Sequence, residues 1–448
     1  MLPTRQTNVP RESNPGAEAK RTLGAAPGQS QDTIAHLRWY ICGLLFFATT
    51  GNYVDRQVIS LLKPVLQQEF NWSEATYGWI VFAFQLAYAI MMPLAGRAID
   101  YLGTRLGYLL AMLLWSLAAM AHALAGGAIG FGAARFALGI GESANFPAAL
   151  KTVAHWFPRK ERALATGIFN SGANVGALLV PILVPMLVLR FGWRSAFVAT
   201  GLPGLVWAGA WYFFFREPEN HPKLGAAELE LIRSDHESSL SERHVPYLEL
   251  LGSRAAWAFL IGKFLTDPVW WFFLFWLPGF LNKRYQLELS ELGLPLVVIY
   301  TASMVGSIGG GWISSALLHR GWTVNRARKT AMLICAVAVT ASIFVYKAGD
   351  NLWMAVTLIS IAAAAHQGWS ANIFNLPSDV FPQRWVGSVV GLGGMGGAVG
   401  GLLASPAIGY WLDWSGGSYA PLFVFAGSLY LLALGIIQVL VPDIETAR

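Results

Sequence analysis

Twelve apolar stretches recur along the chain, at approximately 37–61, 75–97, 106–125, 128–150, 162–189, 194–215, 256–281, 291–318, 330–346, 351–378, 386–412 and 418–441. Each is close to the ~20 residues that an α-helix needs to cross a hydrocarbon core. A bilayer offers no water to unpaired backbone groups, so each stretch has to close its hydrogen bonds within itself, as a helix. The expectation is an all-α polytopic membrane protein with twelve transmembrane helices. Composition agrees: only 12% of the 448 residues are charged, against about 25% in soluble domains.

The basic residues set the topology. With a cytoplasmic N-terminus, inside segments hold 22 of the 31, the outside loops hold Lys63, Arg190, Arg194, Lys283, Arg284 and Lys347, and Arg56, Arg135 and Lys263 lie within helices. The positive-inside bias therefore puts both termini in the cytoplasm. The formal charge of +6 is dispersed over short loops, which is topological patterning and not a nucleic-acid patch. Residues 1–33 are polar, with no apolar core, so a disordered cytoplasmic tail over 1–35 is expected and not a cleaved signal peptide. A polar linker, 216–255, divides the helices six and six, into units at 36–215 and 256–441 with a short tail at 442–448. It contains ELELIRSDHE, expected as a short amphipathic helix at the membrane surface. Cys42 and Cys335 both lie in apolar runs, and no disulfide or metal set follows from them.

The two halves repeat. FPRKERALATGIFNSGANVG from Phe157 matches FPQRWVGSVVGLGGMGGAVG from Phe381, with Gly167, Gly172 and Gly176 aligned on Gly391, Gly396 and Gly400 at an offset of 224. ESANF at Glu142 is echoed by SANIF at Ser370 in a slipped register. Duplicated six-helix units imply two pseudo-symmetric bundles with a substrate site between them near the midplane.

Charges inside these helices are the second constraint. RFALGIGESANFP carries Arg135 and Glu142 seven residues apart, hence roughly 20° apart on one helix face. A charge at bilayer depth costs at least a few kcal/mol unless it is paired or faces water. A structural ion pair is one reading; a polar pathway between helices is the other, and the cost of burial favours it. Asp55 and Arg56 are adjacent in helix 1, so they point about 100° apart and cannot simply pair with each other. One can face a cavity while the other engages a neighbouring helix.

Between helices 2 and 3 lies GRAIDYLGTR. Gly96 permits close helix approach, Gly103 permits a turn, and Asp100 can reach a helix N-terminus or pair with Arg105. The four form a candidate conformational latch. Ser315 stands where the second half would need the acid, so any latch there is weaker or differently built. This loop resembles the signature of the major facilitator superfamily. GNYVDRQVIS, RFALGIGESANFPAA, HWFPRKERALATG, REPENHPKL, KFLTDPVWWFFLFWLPGFL and HQGWSANIFNLPSDVFP together resemble its anion:cation symporter branch, most of all the bacterial hexuronate/proton symporters. The resemblance runs from about residue 36 to 441. It implies proton-coupling roles for Asp55 and Glu142, and for Arg56 and Arg135 contact with the anion or its acid partners.

A guanidinium grips a carboxylate with two parallel hydrogen bonds, and an acid beside it can exchange a proton against anion binding. Further candidates for substrate contact are Tyr53, Gln85, Tyr88, Asn170, Asn174, Lys263 (i,i+4 with Asp267), Trp271, His366, Ser370 and Asn372. For each, interhelical bonding or packing is the alternative. No zinc spacing, nucleophile–base set or phosphate loop appears, so no enzyme, cofactor or metal is expected. The expected function is proton-coupled uptake of a sugar acid anion, a hexuronate first, by a monomer in the bacterial inner membrane. Another organic anion, or uncoupled exchange, is the alternative.

Overall fold

The computed structural model describes residues 33–233, 247–381 and 383–444. The expected disordered tail lies outside them through residue 32, as do linker residues 234–246 and the terminal 445–448. The first half folds as α1 (Leu37–Phe70), α2 (Glu74–Ala121), α3 (Ala128–Glu142), α4 (Asn145–Trp156), α5 (Arg159–Phe191) and α6 (Trp193–Phe214). The linker contributes α7 (Ala226–Arg233) and α8 (Tyr247–Leu251). The second half is α9 (Arg254–Phe275), α10 (Leu277–Tyr285), α11 (Gly293–His319), α12 (Val324–Val339), α13 (Leu352–Ile373), α14 (Leu376–Val380), α15 (Gln383–Trp414) and α16 (Ala420–Leu440).

These elements make twelve crossings. α2 is two of them, folded at Gly103, whose φ of 76° and ψ of 156° leave the helical region. Helices 4, 7 and 10 are broken, as α3–α4, α9–α10 and α13–α14. Each break precedes a proline, Pro147, Pro278 and Pro377, which has no N–H for the carbonyl four residues back. Helix 9 ends in a 3₁₀ segment, Thr340–Ala348. Among the described residues, eight helices are long and apolar enough to cross a membrane by length and composition alone, the doubled α2 among them. The crossings that do not qualify alone are α1, α3–α4 and α13–α14. They carry Asp55, Arg56, Arg135, Glu142, His366 and Asn372.

The halves pack alike. A β-carbon at Gly172 or Gly176 of α5 would lie 2.5 Å from Phe46 O or 2.6 Å from Thr50 O of α1. At the repeat positions of α15, Gly396 and Gly400, it would lie 2.9 Å from Leu260 O and 2.3 Å from Phe264 O of α9. Backbones meet backbones at these crossings, as small residues permit inside membranes. The tightest crossing is α11 on α13, where a β-carbon on Gly310 would sit 2.2 Å from Gly368 Cα.

The bundles touch at one end and part at the other. On α2, Gly78 and Gly96 are five full turns apart and share a face. A β-carbon at Gly78 would be 2.7 Å from Ser405 O of the other bundle, while Gly96 has nothing within 4 Å. On α15, Gly409 and Gly391 repeat the pattern: Gly409 abuts Glu74 O at 2.6 Å, and Gly391 has open space. The result is a cleft that opens towards the Asp100 loop and closes near Lys63. One apolar core runs across both bundles at the closed end. A second is built almost wholly from the first bundle and the linker residue Ile232.

The α11–α13 crossing tolerates no added methyl. Gly310→Ala is expected to destabilise the protein by about 1–3 kcal/mol through overpacking. Gly391→Ala, facing open space, is expected to be neutral. Thermal unfolding in detergent, read for both variants against the parent, checks the contrast.

Candidate functional site

α3 ends at Glu142, because Pro147 five residues on has no N–H for the Ser143 carbonyl, and this sets the Glu142 carboxylate at the break between α3 and α4. Arg56 of α1 donates to Glu142 Oε2 through Nε at 3.1 Å and Nη2 at 2.9 Å, and Nη2 also donates to Asn52 Oδ1 at 3.1 Å. The ion pair is enclosed, with side-chain exposures of 5% for Arg56 and 0% for Glu142. Glu142 Oε1 has no hydrogen-bond partner among the described residues. Arg135 does not pair with Glu142 although both share a face of α3. Its Nη2 donates to the carbonyl of Arg56 at 2.9 Å, and its Nε and Nη1 are buried without hydrogen-bond partners among the described residues. Asp55 turns away from Arg56, as adjacent helix positions require. It lies beside Thr200 of α6, in electrostatic contact with Glu142 and Arg135. One Asp55 oxygen is buried without a partner.

Aromatic rings floor the cleft around Arg56. Its guanidinium carbon lies 4.9 Å from the Tyr53 ring, 5.0 Å from Phe84, 5.0 Å from Tyr88 and 5.6 Å from Trp271 of the other bundle. Arg135 is set deeper, between Phe84 at 5.1 Å and Phe275 at 5.6 Å. Tyr53, Tyr88 and Trp271 are thus brought together with Arg56. Gln85 joins them across the bundles, its Oε1 accepting from Ser405 Oγ at 2.8 Å while its Nε2 has no partner. Asn170 and Asn174 share the α5 face that carries Pro181, whose carbonyl abuts Gly293 of α11. Asn170 is exposed and Asn174 half-buried. Lys263 pairs with Asp267 Oδ2 at 2.9 Å.

Three candidates on helix 10 lie differently. His366 Nδ1 engages the Tyr430 hydroxyl, and its ring stacks on Trp270 at 5.1 Å. Asn372 donates to Gly310 O and Gly368 O, both at 2.9 Å. His366 thus engages α16, and Asn372 ties α13 to α11 while also bonding back to its own helix. Ser370 is half-buried, with no side-chain hydrogen bond among the described residues.

The latch residues stay within one bundle. Asp100 pairs with Lys151 of α4 at 2.7 Å, not with Arg105. The turn at Gly103 sends Arg105 to the far side, where it donates to Tyr212 O at 2.7 Å; Gly96 faces the gap. In the second half the polarity is reversed. Arg328 of α12 supplies the cation, meeting Asp379 of α14 at 2.8 Å and Ser314 Oγ at 2.9 Å.

The closed end rests on residues that the sequence did not mark. Lys63, counted above in an outside loop, lies within α1 directly before Pro64 and is 1% exposed. It pairs with Glu74 at 2.5 Å, reaches Tyr419 Oη at 3.4 Å and lies 4.4 Å from the Trp276 ring. Asp413 of α15 accepts from the backbone N–H groups of Glu74 at 2.9 Å and Ala75 at 2.8 Å, capping α2 from the opposite bundle. Tyr77 donates to Phe275 O at 2.9 Å. The available signal was the spacing of Leu62, Val65 and Leu66, which continues a helical stripe past the apolar run.

A buried cation–acid pair at the apex of a two-bundle cleft is a transporter's geometry, and the sequence profile of the Major Facilitator Superfamily matches residues 45–405. The chain belongs to the Major Facilitator Superfamily. The hexuronate transporter of Escherichia coli (strain K12) is 32% identical over 424 residues, covering 93% of this chain and 97% of that protein. The galacturonate transporter of Dickeya chrysanthemi is 36% identical over 295 residues, 65% of this chain and 85% of that one. A probable galactarate/D-glucarate transporter of Bacillus subtilis (strain 168) is 30% identical, covering 89% and 90%. Among solved structures, a D-xylose-proton symporter superposes with a TM-score of 0.73 at 16% identity, over 91% of this chain and 98% of that one. This likeness bears on the fold alone.

Capping an N-terminus contributes about 1–2 kcal/mol. Asp413→Ala is therefore expected to shift the balance of conformers towards opening at the Lys63 end by about five- to thirtyfold. The check is labelling of a Ser405→Cys reporter in a background without Cys42 and Cys335, which should quicken when Asp413 is lost.

Proposed function

We propose that the protein imports a sugar acid anion together with protons by alternating access, with a hexuronate such as glucuronate or galacturonate as its substrate. The observation that carries this reading is the enclosed Arg56–Glu142 pair at the apex of a cleft open at one end only. Arg56 meets the substrate carboxylate, because its guanidinium is the one ringed by Tyr53, Tyr88 and Trp271. Arg135 positions it through the Arg56 carbonyl. While Glu142 is ionised it occupies the guanidinium; once protonated it releases Arg56 to the anion. Proton and anion then favour each other's binding, which is the meaning of coupling. Asp55, coupled by charge to Glu142 and Arg135, is the second proton site.

The rocking bodies are the units 36–215 and 256–441, joined by the linker 216–255, with tails at 1–35 and 442–448. α7 supports a linker held by the first unit: Glu228 accepts from Leu37 N at 3.0 Å and Arg38 Nη1 at 2.7 Å. The open end faces the cytoplasm, since its loops carry most of the Lys and Arg. On this reading the protein is a monomer in the bacterial inner membrane with both termini inside and the Lys63 cluster as the outer gate.

Proteoliposome uptake tests the reading. Glucuronate accumulates under an inward proton gradient if it holds; equal uptake without the gradient, or no uptake of any sugar acid, rules it out. Glu142→Gln is expected to keep counterflow while proton-driven accumulation falls at least about tenfold, and Arg56→Ala to lose binding, a charge-assisted bidentate contact being worth several kcal/mol. Normal accumulation by Glu142→Gln would remove it from the coupling role.

A further inference from the structure

The carboxylate partner of Arg56 accounts for one end of a substrate, and the relatives that the chain resembles are named for both monoacids and diacids. What meets the other end lies on α9. Asp267, Trp271 and Phe275 follow each other at intervals of four, so they form one stripe. That stripe looks across the cleft: Phe275 touches Arg135 at 5.6 Å and Trp271 touches Arg56 at 5.6 Å. Asp267 is the next position, about 6 Å further along the helix towards the open end. Tyr53 stands within electrostatic reach of both Arg56 and Asp267.

The Asp267 carboxylate is fixed from behind. Lys263 holds Oδ2 at 2.9 Å, and a β-carbon at position 397 would fall 1.9 Å from the same oxygen, so any side chain there would displace the carboxylate. Lys263 itself is tucked over the Phe374 ring at 4.0 Å and is 6% exposed, against 21% for Asp267. Oδ1 has no hydrogen-bond partner among the described residues. The cleft therefore meets a carboxylate oxygen at this point, with the ammonium behind it.

We infer that Asp267 sets the substrate class, admitting an acid whose far end bears hydroxyl groups and rejecting one whose far end is a second carboxylate. The inference rests on the reading of the preceding subsection, with the first carboxylate on Arg56. Hydroxyls donate to an ionised carboxylate in strong, charge-assisted hydrogen bonds. A second carboxylate has no proton to donate and meets like charge, which is how sites exclude near-isosteres. An apolar chain leaves the fixed oxygen desolvated and unpaired, which a site built for hydroxyls penalises heavily. A hexuronate satisfies both ends; an aldarate fails at Asp267, and an unsubstituted monoacid fails there for the opposite reason.

The experiment is binding to the purified full chain, read as ligand-induced thermal stabilisation, with glucuronate, glucarate and hexanoate. Wild type is expected to favour glucuronate over each of the others by at least about tenfold. Asp267→Asn, isosteric but uncharged, is expected to lower that glucuronate-to-glucarate preference by about tenfold or more, glucuronate weakening while glucarate strengthens. Equal weakening of both acids at an unchanged ratio overturns the inference, leaving Asp267 as a structural partner of Lys263. So does a wild type that binds glucarate or hexanoate as well as glucuronate, a measurement that does not depend on the variant folding. Wild type that binds no sugar acid removes the proposed function, and this inference with it.

Discussion

The interaction on which the rest depends is the two-pronged hydrogen bond from Arg56 to Glu142. Removing two charges from water costs several kcal/mol each, and their attraction offsets that only when geometry and further hydrogen bonds are good. Here the geometry is good on one side only: Arg56 is held by Glu142, Asn52 and a ring of aromatics, while Glu142 keeps one oxygen unbonded. A fully satisfied pair would be a strut. This one is incomplete, with one carboxylate oxygen left without a partner among the described residues. Removal of either partner alone would leave an uncompensated charge, at a cost of about 3–5 kcal/mol.

The surrounding architecture keeps that pair at the meeting point of two bodies. α1 and α9 are each clamped to a partner helix by paired glycines, so each bundle is stiff. Between bundles the closed end combines an apolar core with a small polar cluster, in which Tyr419 and Asp413 of the second bundle meet Lys63 and the α2 N-terminus of the first. Packed bundles resist continuous deformation and move as bodies, while the polar bonds between them can be exchanged for water.

Much of this was legible in the chain, and the limits are physical. Apolar run length gave twelve crossings, because backbone satisfaction in lipid leaves no alternative to helices. The offset repeat gave the glycine clamps, which recur at the aligned positions. Asp55 and Arg56 diverge as adjacency demands. What pattern could not give was partnership. Arg135 and Glu142 share a face, yet Glu142 is claimed by Arg56 from another helix. Asp100 and Arg105 are close in sequence, yet the turn at Gly103 separates them. For His366 and Asn372 both ligand contact and interhelical bonding were open, and the structure shows hydrogen bonds to Tyr430 of α16 and Gly310 of α11. Lys63 was read from its place beside an apolar run, and burial reverses that reading.

The cap on α2 has one more consequence. Asp413 binds main-chain N–H groups, and every residue except proline offers the same donors. The closing contact is therefore blind to the side chains of the first turn it grips. Sequence drift at positions 74 and 75 leaves this bond intact, whereas drift at 413 removes it at once. Half of the gate is written in the backbone, where comparison of side chains between proteins finds no trace of it.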